Sequence, residues 1–168
     1  MSGFAQLEPA LTAHVHIDPG LSIGSLSSGP ALSAFNNPGG SLKSESGFSP
    51  AIDAELVMGN DFVRLDTTQK HFRLDARTVM KNNDGSLLTM TYKGIIRLTP
   101  ELGAVFQGSP DAKTTDFGDT FIHVTFETGA EHLRDLENGV FVAAGRFILE
   151  QGKPTKVEYK ISRLVSSS

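Results

Sequence analysis

His71-Phe-Arg-Leu-Asp-Ala-Arg-Thr-Val-Met-Lys81, Asn82-Asn-Asp-Gly85 and Ser86-Leu-Leu-Thr-Met-Thr-Tyr-Lys-Gly-Ile-Ile-Arg-Leu98 follow one another without interruption and decide the fold class. On the first arm Phe72, Leu74, Ala76, Thr78 and Met80 share one face, and Arg73, Asp75 and Arg77 share the other. That is the period-two pattern of a strand with one buried side. Asp84-Gly85 between two such runs predicts a hairpin, because a tight connection between twisted strands needs the positive φ that glycine adopts without steric cost.

The same alternation recurs on both sides of the hairpin. Leu11, Ala13, Val15 and Ile17 oppose Thr12, His14 and His16, and Ile52, Ala54, Leu56 and Met58 oppose Asp53 and Glu55 in a run from Ala51 to Met58 that Gly59-Asn60-Asp61 is read to close. Leu21 to Pro50, rich in Gly, Ser, Pro and Asn and centred on Asn36-Asn-Pro-Gly-Gly40, reads as loop with one or two short strands. After the hairpin, Pro100 to Asp119 reads as a long surface connection, and Thr120 to Glu127 as a strand with Ile122, Val124 and Phe126 facing away from Phe121, His123, Thr125 and Glu127. Thr128 and Glu131 fit a capping box, Leu133 and Leu136 share a face and Gly139 supplies a stop, so one short helix is expected here. Strands Val140 to Leu149 and Thr155 to Leu164, joined by Gln151-Gly-Lys-Pro154, complete the pattern.

Antiparallel neighbours joined by short turns leave exposed edges unless the sheet closes on itself. The expectation is therefore an all-β fold: one closed antiparallel barrel over residues 1–168, with an ordered core from about Leu7 to Leu164, a loop-rich N-terminal third and one short helix. About eight strands leave a lumen wide enough for packed side chains or one small ligand.

Composition narrows the function. With 39% hydrophobic and 20% charged residues the chain has the balance of a globular domain. A net charge of −4 spread over interleaved acids and bases, without a basic run, argues against nucleic acid as a partner. No long apolar stretch or secretory leader is read, so a cytoplasmic protein without a membrane partner is expected. The lack of cysteine excludes disulfides, thiolate catalysis and Cys-ligated metals. Phosphate-loop, dinucleotide and nucleophile-elbow motifs are missing as well.

Gly59-Asn-Asp61-Phe62, Leu74-Asp-Ala-Arg77, Asp84-Gly85, Phe126-Glu-Thr-Gly129 and Val140-Phe-Val142 with Gly145 occur in an order that resembles a family of uncharacterised bacterial and fungal proteins, a domain of unknown function with a calycin-like barrel. The resemblance spans about Leu7 to Leu164. It implies a lipocalin-like barrel, often self-associating, and fungal members of polyketide pathways look like cofactor-free cyclases that close an oxygen heterocycle by adding a phenol across an alkene. It also points to Asp61, Arg77 and Glu127 as the catalytic residues. Asp135-Leu-Glu-Asn138 stands where bacterial members usually carry Trp-Leu-Asn.

An arginine beside two carboxylates would keep one ionised while burial kept the other protonated, which suits proton transfer between a hydroxyl and a carbon. The opposing reading makes Asp61 a turn former, Arg77 part of a solvated strand face and Glu127 a strand-end charge. His123 and Thr125 share the face of Glu127, Tyr92 and Lys93 lie on the second hairpin arm, and His14 and His16 lie on the first strand; these six are the candidate substrate-binding residues. His14, His16 and Asp18 have a ligand-like spacing, but the glutamate and third histidine of a cupin-type site do not follow, so no metal is expected. The reading is a cofactor-independent cyclase or isomerase acting on a small apolar or aromatic phenolic metabolite, with a homo-oligomer, a dimer favoured. Its alternatives are a non-catalytic binding barrel and a filled structural module.

Overall fold

A computed structural model describes residues 3–167. Ten strands form one sheet: β1 Gln6–His16, β2 Leu21–Ser25, β3 Ala31–Asn36, β4 Gly40–Ser44, β5 Asp53–Leu65, β6 His71–Asn82, β7 Leu87–Arg97, β8 Thr120–Thr128, β9 Phe141–Ile148 and β10 Lys156–Val165. Every pairing is antiparallel. From β4 to β10 each strand pairs with the next, β10 pairs back onto β1, and β1 pairs with β4, so eight strands close into a ring.

The glycine- and serine-rich segment is more ordered than its composition implies. β3 and β4 form one line broken at Asn37-Pro38-Gly39: β3 pairs with the second half of β5, and β4 with the first half and with β1. β2, paired only with β3, continues the wall above β1 beyond the Pro19-Gly20 break. Three short strands thus stand where one or two were expected.

The alternation holds almost everywhere. Ala13, Val15, Leu74, Ala76, Met80, Met90, Tyr92, Ile122, Val124, Phe126, Val157 and Ile161 are buried inside the barrel, and the charged residues of the same strands face out. β1 bulges between Pro9 and Leu11, where Ala10 and Leu11 are both buried, but the break that reorients a side chain at the site is in β5. A bulge between Leu56 and Met58 inserts an extra residue, so Val57 and Met58 are both exposed and the parity reverses beyond it. Ala54 and Leu56 point inward before the bulge, whereas Asp61 and Val63 are the buried positions after it. Gly59-Asn60-Asp61 does not end the strand; it lies inside a strand of 13 residues.

Both ends of the barrel are covered. At one end Pro100–Phe106 forms a helix, α1, in the region read as loop. Thr99 caps it by accepting a hydrogen bond from the Leu102 N–H, Pro100 starts it and Glu101 suits its first turn. Leu102 is buried, and Phe106 packs on Phe72 and Phe147 with ring centroids 4.9 and 5.3 Å away. At the other end Glu131–Leu136 forms a 3-10 turn that buries Leu133 and Leu136. The capping box is not used: Ala130 holds the cap position without a side-chain bond, and the Thr128 hydroxyl donates to the Leu87 carbonyl. Among the described residues no helix is long and apolar enough to cross a membrane.

Candidate functional site

The reversal of parity in β5 places a carboxylate inside an apolar barrel. Asp61 is only 8% exposed and lies in register with Ala76 of β6, which in turn lies in register with Tyr92 of β7. Its Oδ1 accepts a hydrogen bond of 3.1 Å from the Asp75 N–H. Burial is the largest influence on this group and favours the neutral form; the amide bond acts against it and the nearby Asp75 charge with it, and the result is a pKa of about 6.

Two tyrosines stand beside it. Tyr92 and Tyr159 are each 2% exposed, their rings lie 5.3 Å apart at 56°, and their hydroxyls are hydrogen-bonded to each other. Burial, then the charges around them including that of Asp61, pushes both phenols up from their ordinary value. They therefore remain O–H donors at any physiological pH. Asp61, Tyr92 and Tyr159 line a pocket of about 30 Å³ whose other walls are apolar and whose partly exposed residues Ile17, Phe35 and Phe106 lie toward the α1 end.

The other expected site residues lie outside the barrel. Arg77 and Glu127 are exposed on the outer faces of β6 and β8, so neither shares the lumen with Asp61. The physical reason is strand periodicity: Leu74, Ala76, Thr78 and Met80 fill the inside of β6, and Thr120, Ile122, Val124 and Phe126 the inside of β8, which turns the intervening positions to solvent. Glu127 accepts only a long bond of 3.4 Å from the Thr89 hydroxyl. Lys93, His123 and Thr125 share this outer surface, so His123 and Thr125, like Glu127, face away from the lumen they were expected to line, and Lys93 lies outside it as well. His14 and His16 also face outward from β1, and His14 Nε2 lies 3.0 Å from Glu158, which the Arg146 guanidinium engages on its other oxygen. That cluster ties β1, β10 and β9 together across the wall. Tyr92 alone of the six binding candidates points into the lumen, as a deep residue rather than a rim one. Glu127→Gln and Arg77→Gln are accordingly expected to change unfolding free energy by no more than about 0.5 kcal/mol in denaturant titrations. Neither should move the carboxyl titration of Asp61 followed by NMR.

Sequence reasoning missed Tyr159, which sits in the apolar Val157-Tyr159-Ile161 face. The available signal was that it is the only other tyrosine in the chain and, like Tyr92, lies on an inward-facing position. A buried phenol needs a partner, and the two supply each other.

A much larger concavity lies elsewhere, an open groove of about 1160 Å³ on the outer face along Asp75, Lys93, Ile95, Phe121 and His123. Its acids are already engaged: Asp75 faces Lys93 at 3.7 Å, and Asp119 pairs with Arg97 at 2.5 Å. The lumen is the better chemical site despite its size, because there a carboxyl without a cationic partner is held out of water beside two phenols.

A family model described as a protein of unknown function (DUF3237) matches residues 5–164. Among solved structures, a conserved protein of unknown function from Rhodopseudomonas palustris is 18% identical with a TM-score of 0.79, covering 98% of this chain and 100% of that one. A β-barrel-like protein from Acinetobacter baumannii AYE is 21% identical with a TM-score of 0.73, covering 98% of this chain and 99% of that one. An enzyme from Penicillium herquei is 15% identical with a TM-score of 0.63, covering 96% of this chain and 95% of that one. At such identities the likeness is one of fold. No curated protein matches the chain.

Proposed function

We propose, from the premise that this chain belongs to the DUF3237 family of proteins of unknown function, that it is a cofactor-independent cyclase or isomerase working in the barrel lumen on a hydrophobic phenol-bearing molecule. The observation that carries this reading is the carboxyl of Asp61, buried, raised to about 6 and set beside two buried hydroxyls. A carboxylate poised near neutrality both takes and returns a proton, which is the requirement for general acid–base work. The fold likeness to an enzyme from Penicillium herquei is consistent with it.

With Glu127 outside the wall, a single carboxyl performs both transfers. Asp61 removes the proton of a substrate hydroxyl as its oxygen bonds to one carbon of an alkene; the neutral acid then delivers that proton to the other carbon. One C–O and one C–H bond form, one O–H and one C=C π bond break, and no atom is gained or lost. The Tyr92–Tyr159 pair supplies an O–H donor for negative charge developing on a conjugated carbonyl. The apolar walls fold the substrate so that hydroxyl and alkene meet, a contribution that removes much of the entropic barrier to ring closure.

At about 30 Å³ the pocket holds no more than one or two water molecules, so a ring-sized substrate enters by displacing the rings of Phe35 and Phe106. The test uses 2′-hydroxychalcone, a phenol that closes onto its own enone without change of mass. The wild-type protein is expected to accelerate closure, with a rate that falls about tenfold per pH unit below about 6 as Asp61 gains its proton. Asp61→Asn should lower the rate at least 100-fold. Equal rates for the two proteins would sink the catalytic reading, and binding without turnover would make this a ligand-carrying barrel.

A further inference from the structure

Across the outer wall from β5 to β10, one row of side chains stands in direct register: Arg64, Arg73, Ile95, Phe121, Ala144 and Lys160. Cations hold both ends and three apolar residues lie between them. Ile95 and Phe121 are 41% and 57% exposed, and as register partners they form one continuous apolar patch. Ala144 and Val142 are short, so β9 forms the floor of the open groove of about 1160 Å³, while Arg73, Lys93 and Lys160 rise as its walls. From Arg64 to Ala144 the row crosses four strand spacings, ~19 Å along the wall.

Charge on this face runs against that of the whole chain. The net charge is −4, yet five Arg and Lys side chains line the groove against two carboxylates, Asp75 and Asp119. Lys93 and Arg97 meet those two, and Arg73 and Lys160 turn to Asp66 and Glu45, which lie outside the groove lining. Arg64 is the cation left over, with no hydrogen bond or ion pair among the described residues. Its place is unfavourable, because Arg64 and Arg73 are register partners and like charges directly opposite repel. An anion on Arg64 relieves that repulsion and suits the planar fork of a guanidinium.

We infer that this groove is a binding site for a free long-chain fatty acid, its carboxylate on Arg64 and its tail laid across Ile95, Phe121 and Ala144. One acidic head on a long apolar tail is the chemistry that matches an unpaired cation at the end of an apolar row. A short organic acid would leave Phe121 uncovered. The apolar residues line a hollow and not a protrusion, which suits a single molecule better than a bilayer surface. A second copy seated face to face would set the cationic ends of two rows against each other. The lumen, at about 30 Å³, has no room for such a tail, so the site is separate from the chemistry proposed at Asp61.

Calorimetric titrations with monomeric dodecanoate, hexanoate and dodecyltrimethylammonium test this, since the second shortens the tail and the third inverts the charge of the head. The wild-type protein should take up one dodecanoate at least tenfold tighter than either of the others. Arg64→Gln and Phe121→Ser should each weaken dodecanoate at least threefold, and Asp61→Asn should leave it unchanged. The wild-type comparison stands whatever a variant does to the fold. Equal affinity for dodecanoate and dodecyltrimethylammonium overturns the inference, and so does uptake that survives both Arg64→Gln and Phe121→Ser. Loss of uptake in Asp61→Asn overturns it by moving the acid to the lumen. Absence of uptake overturns it as well; sedimentation showing a dimer that Phe121→Ser dissociates would then assign the face to a second copy, and retention on anionic vesicles would assign it to a membrane. None of these results bears on closure of 2′-hydroxychalcone, so the two readings fail separately.

Discussion

Asp61→Asn is expected to be more stable than the wild-type protein at pH 8 and to lose that advantage by about pH 4. The sign follows from which state holds its proton. The ordinary carboxyl value is 3.8 and the folded value is about 6. As pH rises from 3.8 the unfolded chain ionises first while the folded chain keeps its proton, so stability falls through this window and levels off above 6. The gap corresponds to about 3 kcal/mol, one unit being worth 1.36 kcal/mol. Asparagine keeps an oxygen for the Asp75 N–H, so the substitution removes the burden of the buried charge without orphaning that amide. For a chain of this size the gain is about 2–4 °C of melting temperature per kcal/mol, or on the order of 6–12 °C in all. Thermal melts of both proteins across pH 4 to 8 check it. A constant difference between the two curves would mean that Asp61 titrates normally and is not a poised acid–base group. If stability rises while closure of 2′-hydroxychalcone is lost, the carboxyl is retained for chemistry at the expense of the fold.

What the sequence makes legible depends on how local the deciding interaction is. The hairpin at Asn82 to Ser86 is local: Gly85 takes φ 87°, its N–H donates to the Asn82 carbonyl, and the arms pair from Lys81 with Leu87 to His71 with Arg97. Alternation separates the two faces of β6, β8 and β10, and closure follows because eight short-linked strands have no better way to satisfy their edges, but which face of β6 points inward does not follow, since an apolar outer face buried between subunits would show the same pattern. Asp61 is different. It was named for its place in a motif, yet its side chain reaches the lumen only because Val57 and Met58 bulge outward, and nothing in Ala-Glu-Leu-Val-Met-Gly-Asn-Asp marks which residue is extra. Arg77 and Glu127 were named by the same motif logic, and the structure places both on the outer wall, on the face of β6 and β8 opposite the apolar residues. Helix α1 is marked in the sequence: Thr99-Pro100-Glu101 carries a cap, an N1 proline and an early acid, inside the stretch whose turn residues otherwise suggest a surface connection.

Gly94→Ala should be among the most damaging single-methyl additions in the chain. Gly94 lies in β7 opposite Ile122 of β8, and neither it nor its neighbours adopt a positive φ, so backbone freedom is not why glycine is required. Proximity is. A Cβ at this position would sit 2.2 Å from the Phe121 carbonyl oxygen and 2.8 Å from the Ile122 Cα. Both are main-chain atoms of the neighbouring strand, and unlike the end of a flexible side chain they cannot turn aside. Relief requires β7 and β8 to separate locally, which strains the ladder between Ile96–Thr120 and Tyr92–Val124 on either side. Overpacking of this kind costs about 1–3 kcal/mol when side chains can adjust, and a backbone obstacle belongs at or above the upper figure. About 3 kcal/mol is a large part of the 5–15 kcal/mol that holds a domain together. The expected melting temperature is therefore lower by about 6–12 °C. Because Tyr92 is two residues along the same strand, the shift also displaces one of the phenols beside Asp61, and the Asp61 titration should move with it. Gly103→Ala is the matched control, since a Cβ there meets no other atom within 4 Å and the residue lies inside α1, where alanine is favoured over glycine by about 1 kcal/mol. Equal melting of the two variants would show that β7 and β8 do not approach as closely as this crossing requires, and the placement of Tyr92 in the lumen would have to be redrawn with them.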